Sequence, residues 1–320
     1  MRLVAILFAA LAAIAAGGAA HAQWPDKPVT IVVGYPPGAA TDNTARFLAQ
    51  EFQQIFNQNF VVKNQPGATA QVATAAVSRA EPDGYTLLLA IGSHTIVPAL
   101  NKSLPYDALE SFEPIGMMGN AANMFLVRAD SPIKTLEDLV KLAREKPGKL
   151  DYGTPGIGTT THLTAVMFEQ AAGIRLTHVP YSGAAAQTQA LLSGEVPLAL
   201  ASMLSFGGVI KSGRVRPLAI VLDRRSPELP DVPTFAEKGY PKILGDNWLG
   251  LLAPAGTPQP VVDKISATLQ KLVTAPEFQK KLKGLGMNPE YKSPQEFKRI
   301  IKEEIGVYKE IASRVPLTSN

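Results

Sequence analysis

The feature that most constrains the fold is a segment near the start of the chain, Val29 to Asp42, with the sequence V-T-I-V-V-G-Y-P-P-G-A-A-T-D. Its first five residues are all β-branched and mostly apolar, which predicts a buried parallel strand. A loop containing Gly and Pro follows, and from Ala40 apolar residues recur every three or four positions, which predicts a helix. Thr41 or Asp42 is placed to cap its start. The predicted apolar face comprises Ala45, Leu48, Ala49, Phe52, Ile55 and Phe56.

The same succession of strand, loop and helix start recurs along the chain. Strands are predicted to end before loops at 34–40, 64–70 and 92–95, and again before loops at 154–160 and 181–183. Ligands of open α/β sheets bind at the carboxyl ends of the strands, where loop N–H groups and helix dipoles favour an anion. One such turn is an ordinary βα connection, so it is the repetition that indicates a binding function.

The first 22 residues are predicted to be a cleaved secretory signal peptide. One basic residue, Arg2, precedes an Ala- and Leu-rich run, and A-H-A at residues 20–22 matches a cleavage pattern. A membrane anchor is the weaker interpretation, because G-G at residues 17–18 interrupts a run that is already short for a span. We therefore expect the mature chain to be free and soluble in the periplasm.

Composition narrows the class of protein further. The absence of cysteine excludes disulfides, thiolate metal sites, a cysteine nucleophile and a lipid anchor. A chain of 320 residues is long enough to bury its own core and indicates two domains. The formal net charge of +4, which loss of Arg2 lowers by one, is too small to indicate nucleic acid or a membrane surface as a partner. We expect a monomer.

The chain is predicted to cross between two α/β domains twice. The outward crossing lies at residues 119–122, between two short strands, and the return lies at an apolar strand, 248–253. Helices are predicted for residues 230–239 and for the chain after the return strand. The predicted domain boundaries give domain 1 as residues 23–121 plus 247–320 and domain 2 as residues 122–246.

The residues that enzymes need do not occur at the spacings that enzymes need. The three histidines of the mature chain are too scattered for a metal site, and G-S-H at residues 92–94 does not match a G-x-S-x-G nucleophile elbow. We expect His94 and His162 to bond loop backbone, and His178 to lie in the core. The glycines of residues 153–158 lack the register of a dinucleotide loop and the lysine of a P-loop. The sequence predicts no catalysis, no metal and no cofactor.

The predicted binding loops are poor in basic side chains. No arginine or lysine falls inside them, and Lys63 only borders one. An anionic ligand would then be held by backbone N–H groups, hydroxyl groups and bridging waters, which suits a carboxylate. Two halves joined by two crossings can close on such a ligand about a hinge. The hydroxyl-bearing residues of these loops are Thr41, Thr69, Ser93, Thr159, Thr160 and Ser182.

Several motifs occur in order along the mature chain. They are P-P-G at 36–38 with Asp42 and Arg46, N-Q-P-G-A at 64–68, P-D-G-Y-T at 82–86, G-I-G-T-T-T-H-L at 156–163, V-P-Y-S-G at 179–183 and L-P-D-V-P-T-F at 229–235. Together they resemble the Bug-type extracytoplasmic solute receptors of tripartite tricarboxylate transporters. The resemblance covers essentially the whole mature chain.

This resemblance implies an α/β, two-domain Venus-flytrap fold of the class II periplasmic-binding-protein type, with two crossover segments. It implies capture of a small carboxylated solute for membrane permease subunits, without covalent chemistry. Asp42 is expected to cap its helix, and Tyr181 to serve either as a packing residue or as a lid. The ligand contacts that the resemblance implies come from Tyr35, Gly38, Ala39, Ala40, Thr41, Gly67, Ala68, Thr69, Ser93, Gly158, Thr159, Thr160, Tyr181, Ser182 and Gly183.

The chain departs from the family pattern in its first loops. Ala39 replaces a second glycine, Lys63 replaces a glutamate, and G-A-T-A at residues 67–70 replaces a Gly-Ala-Gly-Gly type sequence.

A further departure concerns the ligand. Many members carry an aspartate near the end of the strand that follows Gly194, where it can pair with the ammonium group of an amino acid. Pro197 and Ala201 stand at the corresponding positions here, which argues against an amino acid as ligand. Ala201 is therefore added to the predicted site, within an apolar wall of Leu200, Ala201 and Met203.

The predicted function is thus a periplasmic receptor for an organic carboxylate, with a di- or aromatic carboxylate lacking an amine favoured. A ligand sensor for a membrane kinase is the alternative within the same class. A periplasmic serine hydrolase using Ser93 and His94 is the alternative from another class.

Overall fold

The computed structural model describes residues 24–243, 245 and 247–314, so the predicted signal peptide lies outside the described residues. None of the helices in these ranges combines the length and the apolar character needed to cross a membrane. In chain order the elements are β1 (Val29–Val33), α1 (Ala40–Phe56), β2 (Phe60–Asn64), α2 (Gln71–Val77), β3 (Thr86–Ile91), α3 (Ser93–Leu100), β4 (Phe112–Ala121), β5 (Asn123–Arg128), α4 (Leu136–Glu145), β6 (Asp151–Thr154), α5 (Thr160–Ala172), β7 (Thr177–Pro180), α6 (Ala184–Ser193), β8 (Leu198–Ser202), α7 (Met203–Lys211), β9 (Val215–Ile220), β10 (Asn247–Pro254), α8 (Gln259–Thr274), α9 (Pro276–Gly284), β11 (Asn288–Lys292) and α10 (Pro294–Arg314).

The first sheet has the strand order β11-β4-β10-β3-β1-β2. Strand β1 pairs in parallel with both β2 and β3, so these three strands end at the same edge of the sheet. Strand β10 runs antiparallel between β3 and β4. The loops that follow β1, β2 and β3 therefore lie side by side.

The second sheet has the strand order β7-β6-β8-β5-β9. Strand β6 is parallel to both β7 and β8, whereas β5 is antiparallel to β8 and β9. The loops that follow β6, β7 and β8 share one edge, as do the corresponding loops of the first sheet.

The chain changes sheets at two adjacent places. Strand β4 ends at Ala121 and β5 begins at Asn123, so a single residue separates the two sheets on the outward path. On the return path Asn247, the first residue of β10, pairs with Ala121. The next residue, Trp248, is buried and donates its indole N–H to Glu304 of α10 at 2.8 Å. The domain boundaries at 121/122 and 246/247 remain our proposal, and they fall where the chain changes sheets.

Both sheets carry apolar clusters on both faces. In β1, Ile31 and Val33 belong to one cluster and Val32 to another, as expected for a strand covered on two sides. A separate small cluster of Ile96 and Leu163 with Tyr308 joins α3 and α10 to α5. This last cluster packs the helices of the first sheet directly against a helix of the second.

The structure corrects the predicted elements at several places. Residues 93–95, predicted as loop, begin helix α3, and residues 230–239 form turns instead of the predicted helix. Strand β11 lies in a region predicted to be helical, because its conformation comes from pairing with β4 and not from a local pattern. Ile55 is 52% exposed, so the buried face of α1 ends with Phe52.

Candidate functional site

A buried carboxylate holds the loop after β1. Asp42, in the first turn of α1, is 2% exposed, and its Oδ2 accepts the N–H of Gly38 at 2.9 Å. Arg46, one turn further along the helix, donates Nε to the same oxygen at 2.9 Å. Asn64, at the end of β2, donates Nδ2 to Asp42 Oδ1 at 2.9 Å and to the carbonyl of Tyr35 at 3.0 Å. Asp42 therefore connects the loop to the helix that follows it.

The capping role predicted for Thr41 or Asp42 is wrong in its detail. The N-cap residue of α1 is Ala39, with no side-chain cap, and Asp42 reaches back past it to the loop. Burial raises the pKa of Asp42, but hydrogen bonds from Arg46, Gly38 and Asn64 outweigh burial and hold that pKa below its ordinary value. Asp42 is therefore an anion at neutral pH, with Arg46 as its counter-charge.

Two of the residues predicted to contact the ligand in this loop already use their N–H groups within the protein. The N–H of Gly38 is taken by Asp42, and the N–H of Ala39 donates to Pro36 O at 3.2 Å. The N–H groups of Ala40 and Thr41 belong to the first turn of α1, where no intrahelical acceptor exists. Within the described ranges they make no hydrogen bond, so they are the donors left for an anion.

A left-handed turn forms the loop after β2. Ala68, Thr69 and Ala70 have φ angles of 47°, 54° and 69°, a region that costs a non-glycine residue about 1–2 kcal/mol. The turn packs against the end of β1, because a Cβ added at Gly34 would lie 2.3 Å from Cβ of Ala70. Gly67 and Ala68 are exposed and Thr69 is half-buried. The strain is localised at a predicted ligand loop, where strained backbone is common.

Ser93 lies at the start of α3 and is 3% exposed. Its Oγ is 3.1 Å from the hydroxyl of Tyr35, so these two predicted site residues are neighbours. His94 instead bonds the carbonyl of Ala108 through Nε2 at 2.7 Å, as predicted, and burial lowers its pKa to about 4. His94 is therefore not placed to activate Ser93, which removes the geometric basis of the hydrolase alternative.

Neutral side chains hold the loop after β6. Thr154 Oγ1 is 2.7 Å from Nε2 of His178 and accepts the N–H of Gly156 at 3.3 Å. His162 Nδ1 accepts the N–H of Gly158 at 3.4 Å, which is the predicted backbone bond. The two imidazole rings stack with centroids 4.1 Å apart. Burial lowers the pKa of His162 to about 3 and that of His178 to about 4, so both are neutral at neutral pH.

Thr159 is the N-cap of α5 and does not offer a free hydroxyl to a ligand. Its Oγ1 donates to the carbonyl of Gly156 at 2.8 Å and accepts the N–H of His162 at 3.3 Å. A third neighbour, Oγ1 of Thr161, lies 2.9 Å away. Thr160 is 5% exposed. The Thr159 hydroxyl is thus engaged within the loop in this structure, and its predicted contact with the ligand stays a prediction.

The loop after β7 divides its roles among three residues. The Tyr181 ring packs on Gly153, where an added Cβ would lie 3.0 Å from it, and its hydroxyl donates to Glu195 at 2.8 Å. This favours packing over a lid. The N–H of Gly183 donates to Pro155 O at 3.1 Å, so this predicted donor is also occupied. Ser182 is exposed.

The end of β8 packs against apolar clusters, and one of its carbonyl groups is bonded by a buried glutamine. Ala201 is 1% exposed and packs in one cluster with Met203, whereas Leu200 packs in a different cluster. The predicted wall of all three is wrong, because successive residues of a strand face opposite sides. Gln187 of α6 is fully buried and donates Nε2 to the carbonyls of Gly153 and Leu200, each at 2.9 Å. It ties the ends of β6 and β8 together.

The two loop-bearing edges approach each other at two places. A Cβ added at Gly158 would lie 2.7 Å from Cδ1 of Leu100, at the end of α3. Ala40 and Met203, one from each edge, line a cavity of about 180 Å³. The predicted site residues thus lie on both sides of one interdomain space.

Sequence reasoning missed most of the side chains that support these loops. Asn64 and Arg46 entered only as motif members, His178 was expected in the core but is half-buried, and Gln187 gave no signal. The spacing of Asp42 and Arg46, four apart on one helix, is a recognisable ion-pair pattern and could have found that pair. In the described ranges, no three His, Asp or Glu residues are grouped as a metal site requires.

Two α/β sheets joined by adjacent crossings, with loops on facing edges, form the architecture of two-domain solute-binding proteins. The comparison with known families is specific. The family described as tripartite tricarboxylate transporter family receptor (TctC) matches residues 44–317, and the chain belongs to this family.

Individual relatives agree with this assignment. The chain is 30% identical over 322 residues to Protein BugT of Bordetella pertussis, covering 98% of each chain. It is 30% identical to the R. palustris protein Rpa4515 with adipate, with a TM-score of 0.84 and coverage of 91% of this chain and 98% of the other. MatC of Rhodopseudomonas palustris with bound malate is 28% identical, with a TM-score of 0.80 and coverage of 90% and 100%.

Proposed function

We propose that this protein is a periplasmic receptor that captures a small organic carboxylate lacking an amine and delivers it to permease subunits of a tripartite tricarboxylate-type transporter. One observation carries the proposal: helix first turns with unpaired N–H groups, such as Ala40 and Thr41, lie at the facing edges of the two sheets. Such groups bind anions through hydrogen bonds and the helix dipole.

The relatives support a carboxylate as the ligand. Rpa4515 is described with adipate and MatC with bound malate, and both are dicarboxylates. Their similarity extends over nine-tenths of this chain. We infer the same ligand class for this receptor, held by backbone N–H groups together with Ser93, Thr69 and Ser182.

The charges around the site favour a ligand without an ammonium group. Ala201 is buried among apolar side chains at the end of β8, so that strand end presents no carboxylate. Asp42, the acid closest to the first loop, is committed to Arg46 and Asn64. A buried ammonium without an acidic partner would be costly. An amino acid is therefore the disfavoured ligand.

The delivery step follows from the two crossings. Rotation about the strands at Ala121 and Asn247 would open the space between the two loop edges for the ligand and close it again. The permease would then recognise the closed form. We propose the periplasm as the location, consistent with the class of protein, and a monomeric receptor without metal, cofactor or nucleic acid.

A thermal-shift and calorimetry panel on the purified mature protein tests this proposal. The panel contains adipate, malate, benzoate, phthalate, aspartate and glutamate. A ligand at 100 times its Kd stabilises the folded state by about 2.7 kcal/mol, which raises the melting temperature. We expect saturable binding of at least one amine-free acid. Tight binding of aspartate or glutamate alone would refute the amine argument, and no binding across the panel would refute the carboxylate receptor.

A further inference from the structure

The first loop poses an electrostatic problem for an anion receptor. Asp42 Oδ2 lies 2.9 Å from the nitrogen of Gly38, beside the helix end where Ala40 and Thr41 offer their N–H groups. A negative charge at a helix N-terminus offsets the partial positive charge there. Without compensation, the carboxylate that holds the loop would also repel the carboxylate that the loop is to bind.

Arg46 supplies that compensation. It donates Nε to Asp42 Oδ2 at 2.9 Å and Nη2 to Asn64 Oδ1 at 3.1 Å. The Arg46 side chain is 53% exposed while that of Asp42 is 2% exposed, so the guanidinium stands between the buried carboxylate and solvent. Both hydrogen bonds go to side chains and neither goes to the loop backbone.

We propose that Arg46 is a specificity-determining residue that neutralises Asp42 and thereby allows the loop after β1 to accept an anion. This inference rests on the proposed function, since it requires the ligand to be an anion bound at this edge. Asp42 and Asn64 position the loop, because they contact Gly38 and the Tyr35 carbonyl directly. Arg46 instead acts through the charge of Asp42.

A role through charge predicts a pattern that a role in packing does not. Replacing Arg46 by methionine leaves the Gly38 and Asn64 bonds to Asp42 available, but it leaves the carboxylate uncompensated. Replacing Asp42 by asparagine in the same protein removes the charge and keeps an oxygen that can accept the Gly38 N–H. The amide NH2 of this asparagine faces Asn64, whose Oδ1 is freed by the loss of Arg46 and can turn to accept it. The second substitution should therefore repair the first, although it changes a buried residue of the same network.

The test measures affinity by calorimetry for adipate and malate at pH 7 and low salt, in five forms of the protein: wild type, Arg46→Met, Asp42→Asn/Arg46→Met, Arg46→Lys and Lys27→Met. We expect Arg46→Met to weaken binding at least tenfold and the double variant to recover most of that loss. Arg46→Lys retains the charge and should stay within about threefold of wild type. Lys27→Met removes a cation that pairs with Asp83 at 3.1 Å, away from the loop, and should leave affinity unchanged.

The outcomes separate this inference from the proposed function. Unchanged affinity in Arg46→Met, or a double variant weaker than the single one, would overturn the charge role while leaving the receptor intact. A loss in Lys27→Met equal to that in Arg46→Met would reduce the effect to net charge and also overturn it. A wild-type protein that binds no acid of the panel would refute the proposed function, and this inference with it. Should Arg46→Met fail to fold, Arg46→Gln takes its place with the same expected order of affinities.

Discussion

Two loops occupy equivalent places at the facing edges of the two sheets, and the protein supports them in opposite ways. The loop after β1 is held by an ion pair, Asp42 with Arg46, and by Asn64. The loop after β6 is held by the neutral imidazoles of His162 and His178. Similar backbone geometry at the two edges is thus compatible with different chemistry beneath it, and the two edges should respond differently to acid.

The pKa directions define the two pH windows. The folded-state pKa of Asp42 is lowered, so its contribution to stability is present above its ordinary pKa of about 4 and is lost only as the pH falls further. The two histidines also have lowered folded-state pKa values, so the folded state resists their protonation. The loss of unfolding free energy that their protonation causes therefore begins below pH 6.5, the ordinary pKa of histidine, and grows toward pH 4. Acid should weaken the second edge before the first.

The largest expected effect is on acid stability. Replacing the pair by His162→Asn and His178→Gln keeps a neutral acceptor near each bonded ring nitrogen and removes both titrations. Between pH 6.5 and 4 we expect the wild-type protein to lose on the order of 3–5 kcal/mol more unfolding free energy than this variant, after allowing for the partial exposure of His178. Urea unfolding at pH 6.5, 5 and 4 measures the difference.

Comparison with the double variant also controls for the other groups that titrate between pH 6.5 and 4. Burial raises the pKa of Glu169, on α5, to about 7, and burial lowers that of His94 to about 4, but both groups are present in either protein. Asp151 and Glu195 act on Tyr181, Glu169 acts on Tyr152, and His178 is the titratable group that acts on His162. Parallel stability curves for the two proteins would show that the second edge does not depend on neutral imidazoles.

A smaller loss of stability is expected when Gln187, which bonds the ends of β6 and β8, is removed. Gln187→Ala removes two hydrogen bonds of 2.9 Å and leaves two carbonyl groups poorly satisfied in a buried place. We expect a loss of about 2–3 kcal/mol in unfolding free energy. Gln189→Ala is the matched control, since Gln189 lies on the same helix and is exposed. Equal losses in both variants would mean that a change in helix α6, and not the loss of the two Gln187 hydrogen bonds, lowers the stability.

The smallest expected effect on stability distinguishes two hydroxyl-bearing residues that the sequence did not distinguish. Thr159→Ala removes the N-cap of α5 and should cost about 1 kcal/mol of stability. Ser182→Ala changes an exposed residue and should leave stability within about 0.5 kcal/mol. In the presence of a bound acid, Ser182→Ala should weaken affinity by one hydrogen bond to a charged group, about 1.5–3 kcal/mol. Thermal unfolding measures the stability of the two variants and calorimetry measures their affinity. A larger loss of stability in Ser182→Ala than in Thr159→Ala would contradict this prediction.

Much of the fold was predictable because strong local patterns specify it. The β-branched run at 29–33 and the periodicity after Ala40 correctly indicated β1 and α1. The capping box that Thr135 and Asp138 form at the start of α4 is another such local pattern. Strand β11 was missed because residues 288–292 become a strand only by pairing with β4, a partner some 170 residues earlier in the chain.

The site was predictable as a set of loops but not as a set of donors. Gly38, Gly183 and Thr159 were expected to bond the ligand, yet each already has an acceptor in the protein. Gly38 donates to Asp42 of α1, Gly183 to Pro155 of the loop after β6, and Thr159 to Gly156 of its own loop. Sequence spacing shows which residues share a loop, but the direction of an N–H depends on side chains that approach from elsewhere in the fold. Asn64 and His178 are such side chains, and they come from neighbouring strands.

The position of Trp248 gives the receptor an intrinsic optical probe. The chain has two tryptophans, and this one follows Asn247 at the return crossing, with its indole bonded to the Glu304 carboxylate. Trp248 packs on His94 and Phe297 of the first domain one residue from the crossing, where we expect rotation of the second domain to change its surroundings, whereas Trp24 packs against Phe56 and Tyr85. In a Trp24→Phe protein the remaining emission would come from the crossing alone, so stopped-flow fluorescence could time solute capture without an attached dye.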